Sequence, residues 1–101
     1  MSDERKIRVV IIDDHAMTRM GLSFMLKTFP DITLLGEAES GVDGVNLCVA
    51  QAPDVVLLDM RLPDQDGPKV AAALRSHLPT VKIIALSSFD DHDLIKRALQ
   101  A

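Results

Sequence analysis

Two short aliphatic runs in this chain end in acid. Arg8-Val9-Val10-Ile11-Ile12 runs into Asp13-Asp14, and Val55-Val56-Leu57-Leu58 runs into Asp59. Apolar runs this short and this rich in β-branched side chains predict strands buried on both faces, as in parallel sheets covered by helices. Each carboxylate then stands where its strand leaves the sheet. If the two strands are parallel neighbours, their C-terminal ends share one edge, which is where open α/β sheets bind ligands.

Three carboxylates crowded at one edge pose an electrostatic problem. At about 5 Å and an effective dielectric near 20, each pair repels by roughly 3 kcal/mol. Such a cluster requires a bound cation or a raised pKa. With oxygen as the only donor type among the three, a hard ion such as Mg²⁺ suits the set better than zinc.

The rest of the chain alternates strand-like and helix-like segments. Residues 7–13, 32–38, 54–59 and 81–87 read as strands, and residues 16–28, 42–50 and 68–77 as helices, with a last helix opening at Asp90-Asp91. In the first helix Leu22, Met25, Leu26 and Phe29 fall at core spacing. In the second, Val45 and Cys48 share a face, with Gly44 as the small contact residue. Val70, Ala71 and Leu74 point inward from the third. Pro30-Asp31 and the turn-rich stretch 62–67 punctuate the pattern, and Pro68 suits the start of a helix. This alternation predicts a doubly wound parallel sheet.

At 101 residues the chain is one domain. Its only aromatic side chains are three Phe, so the core is expected to be aliphatic. A formal net charge of −4 argues against the chain itself holding a nucleic-acid backbone, which wants a basic face. The lone Cys48 closes no internal disulfide, which fits a reducing cytoplasm, and it reads as buried packing. Four of the first six residues are charged, and no apolar segment is long enough to span a bilayer, so neither a signal peptide nor a membrane contact is expected.

Plainer readings stand beside the acid site. Asp14 alone could equally cap the first helix. Asp64, Asp66, Asp90, Asp91 and Asp93 read as turn and cap residues. His15, His77 and His92 lack zinc-site spacing, and His15 reads as a solvated side chain, with tuning of the acidic pair as the alternative. Arg19 reads as solvated or ion-paired, the five Met as core filler, and Phe89 as packing.

Taken together, these residues resemble the receiver domains of two-component response regulators over essentially the whole chain. Asp13-Asp14 looks like the acidic pair, Asp59 like the phospho-accepting aspartate, residues 63–67 like the loop that follows it, and Ser87 like the Ser/Thr at the end of the fourth strand. Residues 13–22 resemble the NarL/FixJ (LuxR-type) subgroup, whose members carry a C-terminal helix-turn-helix DNA-binding domain. The resemblance implies a flavodoxin-like (CheY-like) α/β fold with strand order 2-1-3-4. It further implies that Asp59 accepts a phosphoryl group from a sensor histidine kinase. By the same resemblance Mg²⁺ is ligated directly by Asp14 and Asp59, through water by Asp13, and by the backbone carbonyl of Arg61, and Ser87 hydrogen-bonds the phosphoryl group.

The family's fifth strand carries a Lys that pairs with the phosphoryl group, and a fifth helix follows. Residues 1–101 are accordingly expected to be an incomplete receiver domain without these elements or the output domain. Lys82 and Lys96 do not sit at the matching position. The implied protein is a cytoplasmic regulator rather than an enzyme, reaching DNA only through its output domain. An uncovered strand at residues 81–86 predicts a homodimer or an element-swapped oligomer. Two other readings compete. A Mg²⁺-dependent aspartyl phosphohydrolase would carry a second Asp two residues after its nucleophile, where this chain has Arg61, and a pure interaction module would leave the acids unused.

Overall fold

The computed structural model describes residues 6–86. In chain order the elements are β1 (Ile7–Ile12), α1 (Ala16–Leu26), β2 (Ile32–Ala38), α2 (Gly41–Gln51), β3 (Val55–Asp59), α3 (Gly67–His77) and β4 (Lys82–Leu86). Ser87, Phe89, Lys96 and the predicted last helix lie outside the described residues.

The four strands form one parallel sheet in the order β2-β1-β3-β4. Successive side chains of the two central strands point to opposite faces of the sheet, with the period of two that a pleated strand imposes, and both sets are buried. Val10, Ile12, Val56 and Leu58 face one side, where Cys48 of α2 and Val70, Ala71 and Leu74 of α3 complete an aliphatic cluster. Val9, Ile11 and Leu57 face the other side, against Leu26 of α1. Both faces of β1 and β3 are therefore covered, as their unbroken apolar runs require.

The close approach of α2 to the sheet depends on Gly44. A Cβ there would fall 2.5 to 2.9 Å from three side-chain atoms of Ile12. Cys48, one turn on, is fully buried, and burial pushes its thiol up to about 11, so it packs as an inert hydrophobe.

Two expectations for the core fail on α1. Met25 and Phe29 are about half exposed rather than buried, and Met17, Met20 and Phe24 are more exposed still. An eleven-residue helix lying across a sheet buries only one narrow stripe, and here Ser23 and Leu26 occupy it. Phe29 comes after the helix has ended at Leu26, so the helical period no longer sets its direction. Among the Met of the described residues, Met60 alone is buried filler.

Candidate functional site

The acid site follows from register. Ile12 pairs with Leu58 across β1 and β3, so the next residue on each strand, Asp13 and Asp59, emerges at the same edge. Both ends are pinned from outside as well: the Asp13 N–H donates to the Ala38 carbonyl at 3.0 Å, and the Met60 N–H to the Leu86 carbonyl at 3.1 Å. Asp13 is 3% exposed and Asp59 6%, whereas Asp14 and His15 are open to solvent. One donor atom from each of Asp13, Asp14, His15 and Asp59 lies within 4.8 Å of the others. Asp54, by contrast, sits at the far end of β3, where its carboxylate accepts the Arg8 N–H at 2.9 Å. Lys82 pairs with Val55 at that same far end, away from the acids.

The two oxygens of Asp59 have different surroundings. Oδ1 accepts the Arg61 N–H at 3.0 Å, while Oδ2 is buried without a hydrogen-bond partner. Burial pushes this carboxyl up from 3.8 to about 6; the Arg61 N–H opposes that rise, and the nearby Asp13 and Asp14 add to it. A buried, unpaired carboxylate oxygen is costly, and a cation satisfies it.

His15 is largely solvent-exposed, as expected, yet its ring also reaches the acids. Its Nδ1 lies 2.9 Å from Asp13 Oδ1, 3.1 Å from Asp14 Oδ1 and 3.5 Å from Asp59 Oδ2. Its backbone N–H donates to the same Asp13 oxygen at 2.7 Å. The hydrogen bond to Asp13 and then the charge of Asp14 raise the imidazole above its usual 6.5. The capping alternative for Asp14 also falls: His15 occupies the N-cap of α1 and gives no side-chain cap bond, which leaves the Asp14 carboxylate facing the cluster.

Two further side chains hold the site in shape. Arg19 is ion-paired rather than solvated. Its guanidinium donates to the Asp13 carbonyl at 2.7 Å and pairs with Glu37 at 3.3 Å, joining the start of α1 to the end of β2. On the other side, both Asp64 oxygens accept the first N–H groups of α2, from Gly41 at 2.8 Å and Val42 at 2.9 Å. Those bonds hold the Asp64 carboxyl below its usual value. Asp66 caps α3 through the Lys69 N–H, as a turn-and-cap residue should. The Gly67 N–H donates to the Met60 carbonyl at 2.9 Å and closes the loop after Asp59. A Cβ on Gly67 would stand 2.7 Å from the Met60 Cα, so the turn can be this tight only with glycine.

A groove of about 730 Å³ opens beside the cluster, and Asp14, Glu37, Glu39 and Asp43 are among the residues lining it. This approach is strongly acidic. An anionic substrate reaching Asp59 needs the charge offset, and the donor set of three carboxylates with an orphaned buried oxygen fits a divalent cation.

A parallel β2-β1-β3-β4 sheet bearing an acidic pair after β1 and a third acid at the end of β3 defines a receiver-type α/β domain. The chain belongs to the response regulator receiver domain family, which it matches over residues 9–101. It is 43% identical over 95 residues to the transcriptional regulatory protein LiaR of Bacillus subtilis, covering 94% of this chain and 45% of LiaR. The signal receiver domain of NarL from Mycobacterium tuberculosis superposes with a TM-score of 0.87 at 40% identity, over 95% of this chain and 77% of that one. The response regulator domain of Thermotoga maritima CheB gives the same TM-score at 28% identity, over 95% of this chain and 72% of that one. The chain thus spans about half the length of the full-length relatives it matches. Among the described residues, no helix is long and apolar enough to cross a membrane.

Proposed function

We propose that this chain is the phosphoacceptor part of a two-component transcriptional regulator and that Asp59 is the acceptor. The observation that carries this reading is the Asp59 carboxylate, with Oδ1 held by the Arg61 N–H and a buried Oδ2 without a hydrogen-bond partner beside Asp13 and Asp14. In the proposed reaction an Asp59 oxygen forms a bond to phosphorus as the P–N bond of a phosphohistidine on a sensor kinase breaks, the electron pair leaving with the imidazole nitrogen. Asp59 must be ionised to attack, and a value of about 6 leaves it mostly so at neutral pH.

Asp13, Asp14, Asp59 and the backbone carbonyl of Arg61 are the proposed holders of Mg²⁺. When bound, Mg²⁺ neutralises the acids and the incoming phosphoryl oxygens, the main requirement of phosphoryl transfer. Ser87, outside the described residues, is the proposed hydrogen-bond donor to the phosphoryl group. Residues 1–101 are read as part of a receiver domain of a cytoplasmic protein that reaches DNA through a separate output domain. The LiaR and NarL likeness supports a regulator rather than a phosphohydrolase, and Arg61 in place of a second Asp supports the same choice.

Mass spectrometry after treatment with a small phosphodonor and Mg²⁺ tests the assignment. One acyl phosphate is expected, absent from Asp59→Asn and retained in Asp54→Asn. Labelling that persists in Asp59→Asn would place the acceptor elsewhere.

A further inference from the structure

We propose that His15 is a metal ligand through Nδ1, and that it gives the acid site a second donor set, one that takes nitrogen-preferring divalent ions such as Ni²⁺. The inference rests on reading Asp13, Asp14 and Asp59 as a cation site and goes beyond it, because the three acids alone offer only oxygen.

Donors that share one octahedral ion, with bonds of about 2.1 Å, stand about 3 Å apart. His15 Nδ1 is 2.9, 3.1 and 3.5 Å from one oxygen of each of the three carboxylates, which is that spacing. The position is built into the chain. The Asp13 carboxylate holds the His15 backbone N–H, and the His15 carbonyl accepts the Arg19 N–H at 3.0 Å to begin α1, so the backbone from which the ring projects is fixed beside the acids.

An independent observation points to a ligand at the same place. The Asp59 side chain is 9% exposed, and its Oδ2, the atom facing His15 Nδ1, has no hydrogen-bond partner. An ion seated among these atoms satisfies the oxygen and meets the nitrogen together. Ion chemistry then separates two cases. Mg²⁺ prefers oxygen and retains water, so it uses the carboxylates and sets the imidazole aside. Ions later in the first row bind imidazole far more strongly, and for them His15 completes the set.

Calorimetric titrations with Ni²⁺ and, separately, Mg²⁺ test this on wild type, His15→Asn and Asp59→Asn. The expected result is a loss of about tenfold or more in Ni²⁺ affinity for His15→Asn, with Mg²⁺ affinity unchanged or slightly raised, and a loss of both ions in Asp59→Asn. The Ni²⁺ absorption bands should shift in His15→Asn as nitrogen leaves the coordination sphere. Unchanged Ni²⁺ affinity in His15→Asn, or an equal loss of both ions there, overturns the ligand role while leaving the acid site intact. Undiminished binding of both ions to Asp59→Asn overturns the acid-site reading, and this inference with it.

Discussion

The Arg19 guanidinium donates to the backbone carbonyl of Asp13 at 2.7 Å, so the residue that follows β1 is held by a side chain from the first turn of α1. The same guanidinium pairs with Glu37 near the end of β2, and it is mostly buried, which strengthens a charge-assisted bond. Its contribution is positional: it keeps the Asp13-Asp14 turn over the sheet edge.

Arg19→Ala is therefore expected to destabilise the fold by about 1.5–3 kcal/mol, the usual range for a hydrogen bond to a charged group. It should also weaken Mg²⁺ binding, because the acidic pair gains freedom. Arg19→Lys should recover part of the stability and less of the affinity, since an ammonium cannot bond the carbonyl and Glu37 in the same fork. Urea denaturation and a Mg²⁺ titration check both, and unchanged affinity in Arg19→Ala would mean the turn holds its shape without the guanidinium.

Gly44 supports the site from beneath. A methyl group there meets Ile12, the residue next to Asp13, at 2.5 to 2.9 Å. Gly44→Ala should cost about 1–3 kcal/mol by overpacking. Combining it with Ile12→Ala should recover stability relative to the sum of the two single changes, because the added methyl then fills the space that Ile12 vacates. A double-mutant cycle by thermal or urea unfolding measures this, and simple additivity would show that α2 moves away instead.

Asp64 links the loop after Asp59 to α2 through two hydrogen bonds. Its carboxyl is held below its ordinary value of 3.8, so its stabilisation is present above that value and is lost as pH falls through the lowered one. Asp64→Ala should melt at a lower temperature than wild type at pH 7, with the gap narrowing once the pH drops below 3.8. A gap that is constant with pH would mean that the charge of Asp64 contributes nothing to the cap.

Much of the fold and of the site is legible in the sequence for a local reason. The β1 and β3 strands are apolar without a break from Val9 to Ile12 and from Val55 to Leu58, so their burial on both faces and the emergence of Asp13 and Asp59 at one edge follow from strand period and parallel pairing. Gly44 and Cys48 are readable from helical spacing in the same way. What escapes is contact set by distant chain segments or by side-chain direction. Asp64 reaches helix N–H groups more than twenty residues back, Arg19 finds its partner on β2, and the exposed His15 ring lies over carboxylates at the ends of two strands. The exposed Met17, Met20 and Phe24 escape too, because apolar spacing along α1 does not reveal which of its stripes meets the sheet.

Asp59 itself supplies a stability prediction. Its carboxyl titrates near 6 in the fold against 3.8 ordinarily. Between those values the folded chain keeps a proton that the unfolded chain has released, so the fold is favoured at low pH and loses that advantage as pH rises through about 6. A gap of about 2 units corresponds to about 3 kcal/mol. Metal-free Asp59→Asn should thus be more stable than wild type above pH 6, by up to about 3 kcal/mol, and the advantage should shrink toward zero near pH 4. Asp14→Asn should move stability the same way by relieving repulsion within the cluster. Saturating Mg²⁺ should narrow or reverse the order, because wild type binds the ion through the carboxylates that the variants lack. Urea unfolding at pH 4 and 7.5, with chelator and with Mg²⁺, reads all three comparisons. If metal-free Asp59→Asn is no more stable than wild type at pH 7.5, the buried carboxylate carries no penalty and the crowding of charge at this sheet edge is not what calls for a cation.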